Sequence, residues 1–238
     1  MPFRLVEQLS NKHEASRESR FLEGEGSLPT PKAVIFDIGR VIVRLDLRRA
    51  LQPIAAAMEG NANQSARDRS PEEVWQLIRA DARWNDWQEG RLSAAEWHEH
   101  LTRRFKLSLG YQEFRNVWNL VLDPELILAE SLFAHLAARC HLALLSNTDP
   151  IHVECLEDRF TFGRHFPVRI YSCRVGASKP SPAIYRAALE ALGVAPREAL
   201  YIDDIQEFVE AAQRQGLDAI RFETTDLLEL ELRRRHLY

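Results

Sequence analysis

Apolar positions along the chain follow two different periods. Short, nearly continuous apolar runs are typical of strands that are buried on both faces of a sheet. The sequence predicts five such strands, at residues 33–36, 142–146, 168–172, 199–202 and 219–222. Segments with helical spacing, at residues 125–139, 181–192 and 206–216, lie before the second, fourth and fifth of these strands. This alternation predicts an α/β fold in which a parallel, Rossmann-like sheet lies between two layers of helices, a three-layer sandwich.

A long block with only the helical period lies between the first two predicted strands. Its apolar residues recur at three- and four-residue spacing, as at Trp84 and Trp87 and again at Trp97 and Leu101. Ser93 and Glu96 have the spacing of a capping box, which marks a helix start. Because the block is too long for an ordinary crossover connection, we expect an inserted, all-helical cap.

The change of period divides the chain into three parts. Residues 1–30 are polar, with glycine and proline near their end, and predict a flexible leader. Residues 31–46 and 125–238 are the predicted α/β core domain. Residues 47–124 are the predicted helical cap domain.

Several residues that can do chemistry lie at or near the ends of the predicted strands. They are Asp37 after the first strand, Ser146 and Asn147 after the second, Lys179 in a later loop, and Asp203 and Asp204 after the fourth. Taken alone, each has an ordinary role as a turn acid, a helix cap or a solvated lysine. Parallel strands present their carboxyl ends at one edge of the sheet, where ligands bind, so we expect these groups to converge.

Such a set suits phosphoryl transfer. Neighbouring carboxylates repel unless a cation neutralises them, and an oxygen-only set of ligands suits Mg²⁺. A serine hydroxyl, amide N–H groups and a lysine ammonium are donors for phosphoryl oxygens. A carboxylate aimed at phosphorus can act as a nucleophile and form an aspartyl-phosphate.

Composition and charge disfavour other classes of protein. The 238 residues are 45% hydrophobic and 28% charged, enough for one large domain or a core with an insert. A net charge of -4 disfavours a nucleic-acid or membrane-surface binder, and we expect the basic run at residues 233–236 to be a solvated helix end. No apolar run approaches the roughly 18 residues of a membrane span.

The cysteines and the N-terminus bear on location. Cys140, Cys155 and Cys173 are odd in number and form no CxxC pair, which indicates reduced thiols rather than disulfides or a zinc site. The N-terminal residues lack the apolar region of a secretory signal. We therefore expect a cytoplasmic protein, a monomer or a homodimer.

Four motifs occur in order between residues 33 and 222. They are Phe36-Asp37-Ile38-Gly39-x-Val41, Leu145-Ser146-Asn147-Thr148, Gly176-x-x-Lys179-Pro180-x-Pro182-x-Ile184-Tyr185, and Ile202-Asp203-Asp204 with Val209-Glu210-Ala211-Ala212-x-x-x-Gly216. Together they resemble the motifs of the haloacid dehalogenase-like hydrolase superfamily. The first is most similar to the Phe-Asp-x-Gly branch of sugar-phosphate phosphatases. The helical block also stands where that family has its cap.

The resemblance implies a Mg²⁺-dependent phosphatase that acts on a small phosphorylated metabolite, such as a sugar phosphate, through an aspartyl-phosphate. It implies that Asp37 is the nucleophile and a metal ligand. The carbonyl of Gly39 and the carboxylates of Asp203 and Asp204 would complete the metal site. The cap would close over this site and select the substrate.

The resemblance also implies a phosphate-binding set. Ser146 and Asn147 would bind the phosphate, and Lys179 would balance the charge of the nucleophile and the phosphoryl oxygens. Arg40 is unusual beside a nucleophile of this branch. We expect it either to favour an anionic substrate or to face solvent.

Three positions depart from the family or have no clear role in it. Most phosphatases of the superfamily have a general acid/base where this chain has Gly39, and loss of such a group costs about 10²–10⁴-fold in rate. Phe208 stands where the fourth motif usually has Asn or Asp, and Glu207 is a candidate substitute. Asp46 matches an acid of the branch, but no role can be assigned to it.

Two other functions are alternatives. One is a non-catalytic binding or regulatory protein that keeps the fold, which Gly39 and Phe208 favour. The other is a 2-haloacid dehalogenase, which Asp203 and Asp204 disfavour because unneutralised acids would repel a carboxylate substrate.

Overall fold

A five-stranded parallel sheet forms the centre of the computed structural model, which describes residues 28–58 and 69–238. The leader predicted for residues 1–30 therefore lies almost wholly outside the described residues. The strands are β1 (Ala33–Phe36), β2 (Val43–Leu45), β3 (Leu122–Leu126), β4 (His141–Ser146), β5 (Val168–Tyr171), β6 (Ala199–Asp203) and β7 (Asp218–Arg221). The parallel sheet has the order β5-β4-β1-β6-β7, with β1 at its centre.

Helices surround this sheet and form the inserted block. In the described residues they are α1 (Leu47–Ala57), α2 (Pro71–Arg79), α3 (Trp84–Gln88), α4 (Ala94–Phe105), α5 (Tyr111–Trp118), α6 (Glu130–Ala137), α7 (Pro150–Arg159), α8 (Ser172–Val175), α9 (Pro182–Leu192), α10 (Gln206–Arg214) and α11 (Thr225–Arg234). Short 3₁₀ turns lie at Asn119–Val121, Thr161–His165 and Pro196–Glu198.

The two faces of β1 bury two separate apolar clusters. Val34 and Phe36 point into the cluster that contains Phe133 of α6, whereas Ala33 and Ile35 point into the cluster with α9 and α10. All four strand residues are fully buried. Because side chains alternate along a strand, this division shows that helices cover both faces of the sheet. The predicted three-layer α/β sandwich is confirmed.

Helices α1 to α5 pack around a third apolar cluster and form the predicted helical cap. Its centre contains Trp87 and Trp97, whose rings stack with centroids 5.7 Å apart and planes 9° apart. The capping box predicted at Ser93 and Glu96 is present at the start of α4. The domain boundaries at residues 46 and 124 stay predictions.

A two-stranded antiparallel ribbon, formed by β2 and β3, joins the two ends of the cap to the core. The helix predicted at residues 125–139 is wrong in its first part, because Leu126 belongs to β3 and the helix begins only at Glu130. Pairing of Leu126 with Val43 extends this segment. Pro124 also favours an extended residue before it, and tertiary pairing then overrides the helical period.

The basic run at residues 233–236 is not simply a solvated helix end. Arg235 is 3% exposed, and its guanidinium Nε lies 2.6 Å from a carboxylate oxygen of Asp218. Glu231 forms a second ion pair with it. This arginine therefore anchors the C-terminus to β7, and the expectation fails at this position.

Other expectations concern the thiols and the membrane. Cys140, Cys155 and Cys173 are free thiols in the structure. Within residues 28–58 and 69–238, no helix has both the length and the apolar character that crossing a bilayer requires.

Leu136→Ala tests how much the helix packed on β1 and β4 stabilises the core. Leu136 is fully buried in α6, and its truncation leaves a cavity, so we expect a loss of about 2–5 kcal/mol in the free energy of unfolding. Leu230→Ala on α11 is the matched control because that side chain is 45% exposed, and we expect a change within about 0.5 kcal/mol. Urea unfolding measures both, and equal losses would contradict the packing described here.

Candidate active site

Two acids meet where β1 and β6 end. The register pairs Phe36 with Ile202, so Asp37 and Asp203, one residue further along, lie at the same level of the sheet. The backbone N–H of Asp37 donates to the carbonyl of Ile202 at 2.9 Å. Parallel pairing of two buried strands thus places both carboxylates at one edge, as the sequence predicts.

Lys179 lies between these two acids. Its Nζ is 2.7 Å from a carboxylate oxygen of Asp37 and 2.7 Å from one of Asp203. The lysine is 4% exposed, and a third donor bond of 3.3 Å reaches the carbonyl of Leu145. Burial opposes its charge, but the two carboxylates outweigh burial and raise the pKa of Lys179.

The backbone of Lys179 is held by the side chain of Asn147. Asn147 donates from Nδ2 to the Lys179 carbonyl at 2.9 Å, and its Oδ1 accepts from the Lys179 N–H at 2.7 Å. These reciprocal bonds use both ends of the amide. Asn147 therefore orients the lysine, a role that the sequence does not reveal.

A third acid, Asp204, lies beside the first two. One oxygen from each of Asp37, Asp203 and Asp204 lies within 4.8 Å of the others. Arg40 is 3.8 Å from Asp204, with more than half of its side chain exposed. Burial and the charge of Asp203 raise the pKa of Asp204, while Arg40 opposes the rise.

The pKa of Asp37, the candidate nucleophile, shows how burial and the neighbouring charges act together. Burial, together with the charges of Asp203 and Asp204, raises the pKa of Asp37 to about 7, although Lys179 opposes the rise. The carboxylates thus carry more negative charge than Lys179 alone can balance. An oxygen-only donor set of this kind fits Mg²⁺, whose charge would relieve the repulsion.

Asp203 is fixed from several sides. It is fully buried, accepts a hydrogen bond from the hydroxyl of Tyr201, and accepts from the N–H of Ile205 at 2.8 Å. Tyr201 is a second group that sequence reasoning missed, since its position in a buried apolar strand gives no sign that its hydroxyl turns toward an acid.

The acids face a cavity of about 300 Å³ between the core and the cap. The predicted site residues that line it are Asp37, Gly39, Arg40, Ser146, Asn147, Lys179 and Asp204, with Asp203 buried behind them. The Ser146 side chain makes no hydrogen bond to any described residue, so its hydroxyl is free to bind a ligand. The structure thus brings the whole predicted set together.

The structure shows what each position that departs from the family contacts. The ring of Phe208 lines the cavity, with the Lys179 ammonium 5.0 Å from its centroid. Glu207 is exposed on α10 and does not line the cavity, so the geometry does not bring it in as a substitute. Asp46 caps α1 by accepting the N–H of Arg48 at 3.0 Å.

A buried ion pair connects the cap to the core at the side of the cavity. His152 of α7 lies 2.9 Å from Asp149, and its other ring nitrogen is 3.1 Å from the carbonyl of Trp118 in the cap. The Trp118 indole N–H donates to Asp149 at 3.0 Å. Burial opposes both charges, but each partner outweighs it, so the pKa of His152 is raised and that of Asp149 is lowered.

The segment after α3 makes a second contact between cap and core. Glu89 accepts a hydrogen bond of 2.7 Å from the hydroxyl of Ser178, next to Lys179. Gly90 follows with a φ of +71°, and a Cβ there would lie 1.9 Å from the carbonyl oxygen of Cys173. A residue without a side chain is therefore needed for this close approach.

The chain has the fold and site of a class of hydrolases: acids and a lysine lie at the carboxyl edge of a parallel sheet, under a helical cap. The chain belongs to the haloacid dehalogenase-like hydrolase family, whose sequence model matches residues 31–216. The predicted family and its hydrolase activity are confirmed.

Curated relatives include phosphatases. D-ribitol-5-phosphate phosphatase of Bacteroides thetaiotaomicron is 24% identical over 198 residues, which are 80% of this chain and 91% of that protein. Bifunctional epoxide hydrolase 2 of Sus scrofa is 39% identical over 69 residues, but the match spans only 12% of that longer protein and 28% of this chain.

Solved structures share the fold. A HAD family enzyme from Bacteroides thetaiotaomicron has a TM-score of 0.70 at 22% identity, with 85% of this chain and 98% of that chain covered. A complex of the wild-type form of that enzyme with magnesium and inorganic phosphate has a TM-score of 0.67 at 19% identity, covering 82% of this chain and 96% of the other.

Gly90→Ala tests the contact between cap and core. The new methyl group combines left-handed strain with a clash against the Cys173 backbone, so we expect a loss of more than about 2 kcal/mol in the free energy of unfolding. Gly193→Ala is the control: its φ is +67°, yet a Cβ there meets nothing within 4 Å, so it costs only the strain, about 1 kcal/mol. Equal losses in urea unfolding would show that the Cys173 contact is unimportant.

His152→Gln tests the buried ion pair. A raised pKa means that His152 stabilises the fold fully below its unfolded pKa of about 6.5 and loses this effect as pH rises through the folded value. We expect the variant to be about 3 kcal/mol less stable at pH 6, because Asp149 stays buried without its partner. The difference from wild type should shrink above pH 6.5.

Urea unfolding at several pH values between 6 and 9 measures this difference. His141→Gln is the matched control, because His141 is exposed and its side chain makes no hydrogen bond or ion pair with a described residue. A gap between wild type and His152→Gln that stays constant over this range would contradict the charged state assigned to His152.

Proposed function

We propose that the protein is a Mg²⁺-dependent phosphatase that hydrolyses a small phosphorylated metabolite through an aspartyl-phosphate on Asp37. The observation that carries this proposal is the position of Asp37: its carboxylate lines the cavity, is held by Lys179, and lies beside Asp203 and Asp204. The phosphatases among the relatives support the same class of reaction.

Phosphate binding uses donors that converge on the nucleophile. The hydroxyl of Ser146 supplies one donor, the ammonium of Lys179 supplies positive charge beside it, and both residues line the cavity. The Asn147 side chain is engaged with Lys179, so its contribution to phosphate binding falls to its backbone N–H. Such donors bind phosphoryl oxygens and offset the charge that develops on them.

Asp37 attacks phosphorus with one carboxylate oxygen, and the bond between phosphorus and the ester oxygen breaks. The leaving oxygen takes a proton from solvent water, because Gly39 has no side chain to supply one, and departs as an alcohol. Water then hydrolyses the acyl phosphate, which releases inorganic phosphate and restores Asp37. Lys179, held between Asp37 and Asp203, keeps the nucleophile oriented toward the cavity throughout.

Asp37, the Gly39 carbonyl, Asp203 and Asp204 would hold Mg²⁺. The bound ion supplies positive charge that favours the ionised carboxylates and offsets the charge on the phosphoryl oxygens. Arg40, at the cavity and paired with Asp204, adds a further positive charge for an anionic substrate.

The proton for the leaving group comes from a group other than residue 39. A Cβ at Gly39 would lie 3.0 Å from a methyl group of Leu45, so the space for a side chain there is partly taken by β2. We infer slow turnover compared with phosphatases that have an acid at this position, by about 10²–10⁴-fold.

The cytoplasmic location and the monomeric or homodimeric state stay predictions. A non-catalytic role and a dehalogenase activity stay alternatives. Phosphate release separates both from the proposal, because neither a binding protein nor a haloacid dehalogenase releases phosphate from an ester.

Asp37→Asn removes the nucleophile while keeping the shape of the side chain. We expect phosphate release from p-nitrophenyl phosphate and from a panel of sugar phosphates to fall at least about 10³-fold. Chelation of Mg²⁺ from the wild type should have a comparable effect, and added Mg²⁺ should restore activity. Initial rates of phosphate release measure both.

Asp158→Asn is the matched control, because Asp158 is exposed on α7 and does not line the cavity. Its rates should equal those of the wild type. Wild-type protein that releases no phosphate from any of these esters, or Asp37→Asn that remains as active as the wild type, would refute the proposed function.

A further inference from the structure

The cavity has two chemically different walls. The core wall carries the acids, Lys179 and Ser146, whereas the cap wall is mostly apolar, with aliphatic side chains and tryptophans. Trp75 of α2 and Trp84 of α3 are only partly buried, and both line the cavity. Trp118 adds a third indole from the cap, and Phe208 adds a ring from the core side. A substrate bound through its phosphate at the core wall therefore extends toward aromatic surface.

Trp75 and Trp84 are held in place before any ligand binds. Their rings meet edge to face, with centroids 5.5 Å apart and planes 86° apart. Trp84 also packs against Trp97 of the buried cap cluster, at 6.1 Å between centroids. Indoles that are fixed in this way lose little conformational entropy when a ligand stacks on them.

The cap wall offers few polar groups. Among the described cap residues that line the cavity, the charged or amide side chains are Arg79 and Gln88, and none is a carboxylate. The guanidinium of Arg79 lies 5.8 Å from the centre of the Trp75 ring. Arg79 forms no ion pair, and the Gln88 amide no hydrogen bond, with any residue that the structure describes.

This composition suits a planar ring better than a polyol. A polyol needs a hydrogen-bond partner for each hydroxyl that is removed from water, and an apolar wall leaves most of them unpaired. An aromatic ring needs a flat apolar surface, and Arg79 and Gln88 are suited to polar groups at its edge.

We propose that the substrate is a phosphate monoester that carries a planar aromatic ring, which stacks on the face of one of the two indoles, Trp75 or Trp84, and meets the other edge to face, while Arg79 binds a polar or anionic group of the same molecule. This inference rests on the proposed phosphatase function and names its substrate class. Nucleotides and flavin mononucleotide share this chemistry, and the assay separates them from one another and from sugar phosphates.

The first test compares kcat/KM for two groups of esters. The aromatic group is uridine 5′-monophosphate, flavin mononucleotide and p-nitrophenyl phosphate, and the other group is ribose 5-phosphate and ribitol 5-phosphate. We expect the wild type to prefer uridine 5′-monophosphate or flavin mononucleotide to the sugar phosphates by about 10-fold or more, the size of one stacking contact. p-Nitrophenyl phosphate reports turnover only, because its nitrophenolate leaves without protonation and is released rapidly whether or not the ring stacks.

Variants then assign the preference to the cap wall. Trp75→Leu and Trp84→Leu should reduce kcat/KM for the preferred aromatic ester by about 10-fold, mainly through KM, and should reduce the ratio to the sugar phosphates. Trp75→Phe, which keeps a ring, should recover part of the loss. Tyr111→Leu, an exposed aromatic position on α5 outside the cavity, should match the wild type.

A binding measurement keeps the test independent of turnover and of folding defects. The Asp37→Asn variant is titrated with flavin mononucleotide and with ribose 5-phosphate in a calorimeter, which measures the dissociation constant of each. We expect the flavin ester to bind at least about 10-fold more tightly, and Arg79→Gln, combined with Asp37→Asn, to weaken it by about 10-fold. Far-UV circular dichroism confirms that each variant is folded.

The outcomes are distinct. If no ester in either group releases phosphate, the proposed function fails and this inference fails with it. If phosphate is released but the sugar phosphates are turned over or bound as well as uridine 5′-monophosphate and flavin mononucleotide, only the substrate class is overturned. The same holds if folded Trp75→Leu and Trp84→Leu variants keep the aromatic preference.

Discussion

The ion pairs of Lys179 with Asp37 and Asp203 are the interaction on which the site depends. A buried lysine and two buried carboxylates are stable only when each charge has partners within hydrogen-bond distance. Strand register provides this for the acids, because β1 and β6 deliver them side by side. The Asn147 side chain positions the lysine for these contacts by fixing its backbone. Removing one of the three charged side chains leaves an uncompensated charge in the core.

The core and the cap contribute different parts of the site. The core supplies the charged groups, placed by the parallel sheet with little freedom to vary. The cap supplies a wall whose character depends on a few helical side chains, chiefly Trp75 and Trp84. Contacts at Ser178 and Cys173 and the hydrogen bonds of Trp118 to Asp149 and His152 join the two parts around the cavity. The chemistry can therefore stay constant while the cap determines the substrate.

Much of the fold and of the site could be predicted from the sequence. Buried strands are apolar along their whole length, and the acids that follow them must emerge at one edge, so Asp37, Asp203 and Asp204 were predictable from topology. The β2–β3 ribbon was not, because Leu122–Leu126 is extended by pairing with a segment about 80 residues away.

Contacts between side chains far apart in the chain were also out of reach of sequence reasoning. Asn147 has the same appearance in the sequence whether its amide binds phosphate or the backbone of Lys179. Trp75 and Trp84 have the helical spacing of core residues, and part of each does pack in the cap. Which indole surface faces a cavity depends on how helices meet, and periodicity contains no information on that.

The absence of an acid at position 39 goes together with the packing of the β2–β3 ribbon. An acid at this position would need space beside Asp37, and Leu45 of β2 lies where its Cβ would come within 3.0 Å. The missing acid is therefore accompanied by apolar packing from the ribbon that connects the cap. Lys179 and the three carboxylates, with the proposed nucleophile Asp37 among them, are all present, so the proposed reaction keeps its groups for binding and for attack on phosphorus. The cost falls on protonation of the leaving group, which limits the rate rather than the affinity.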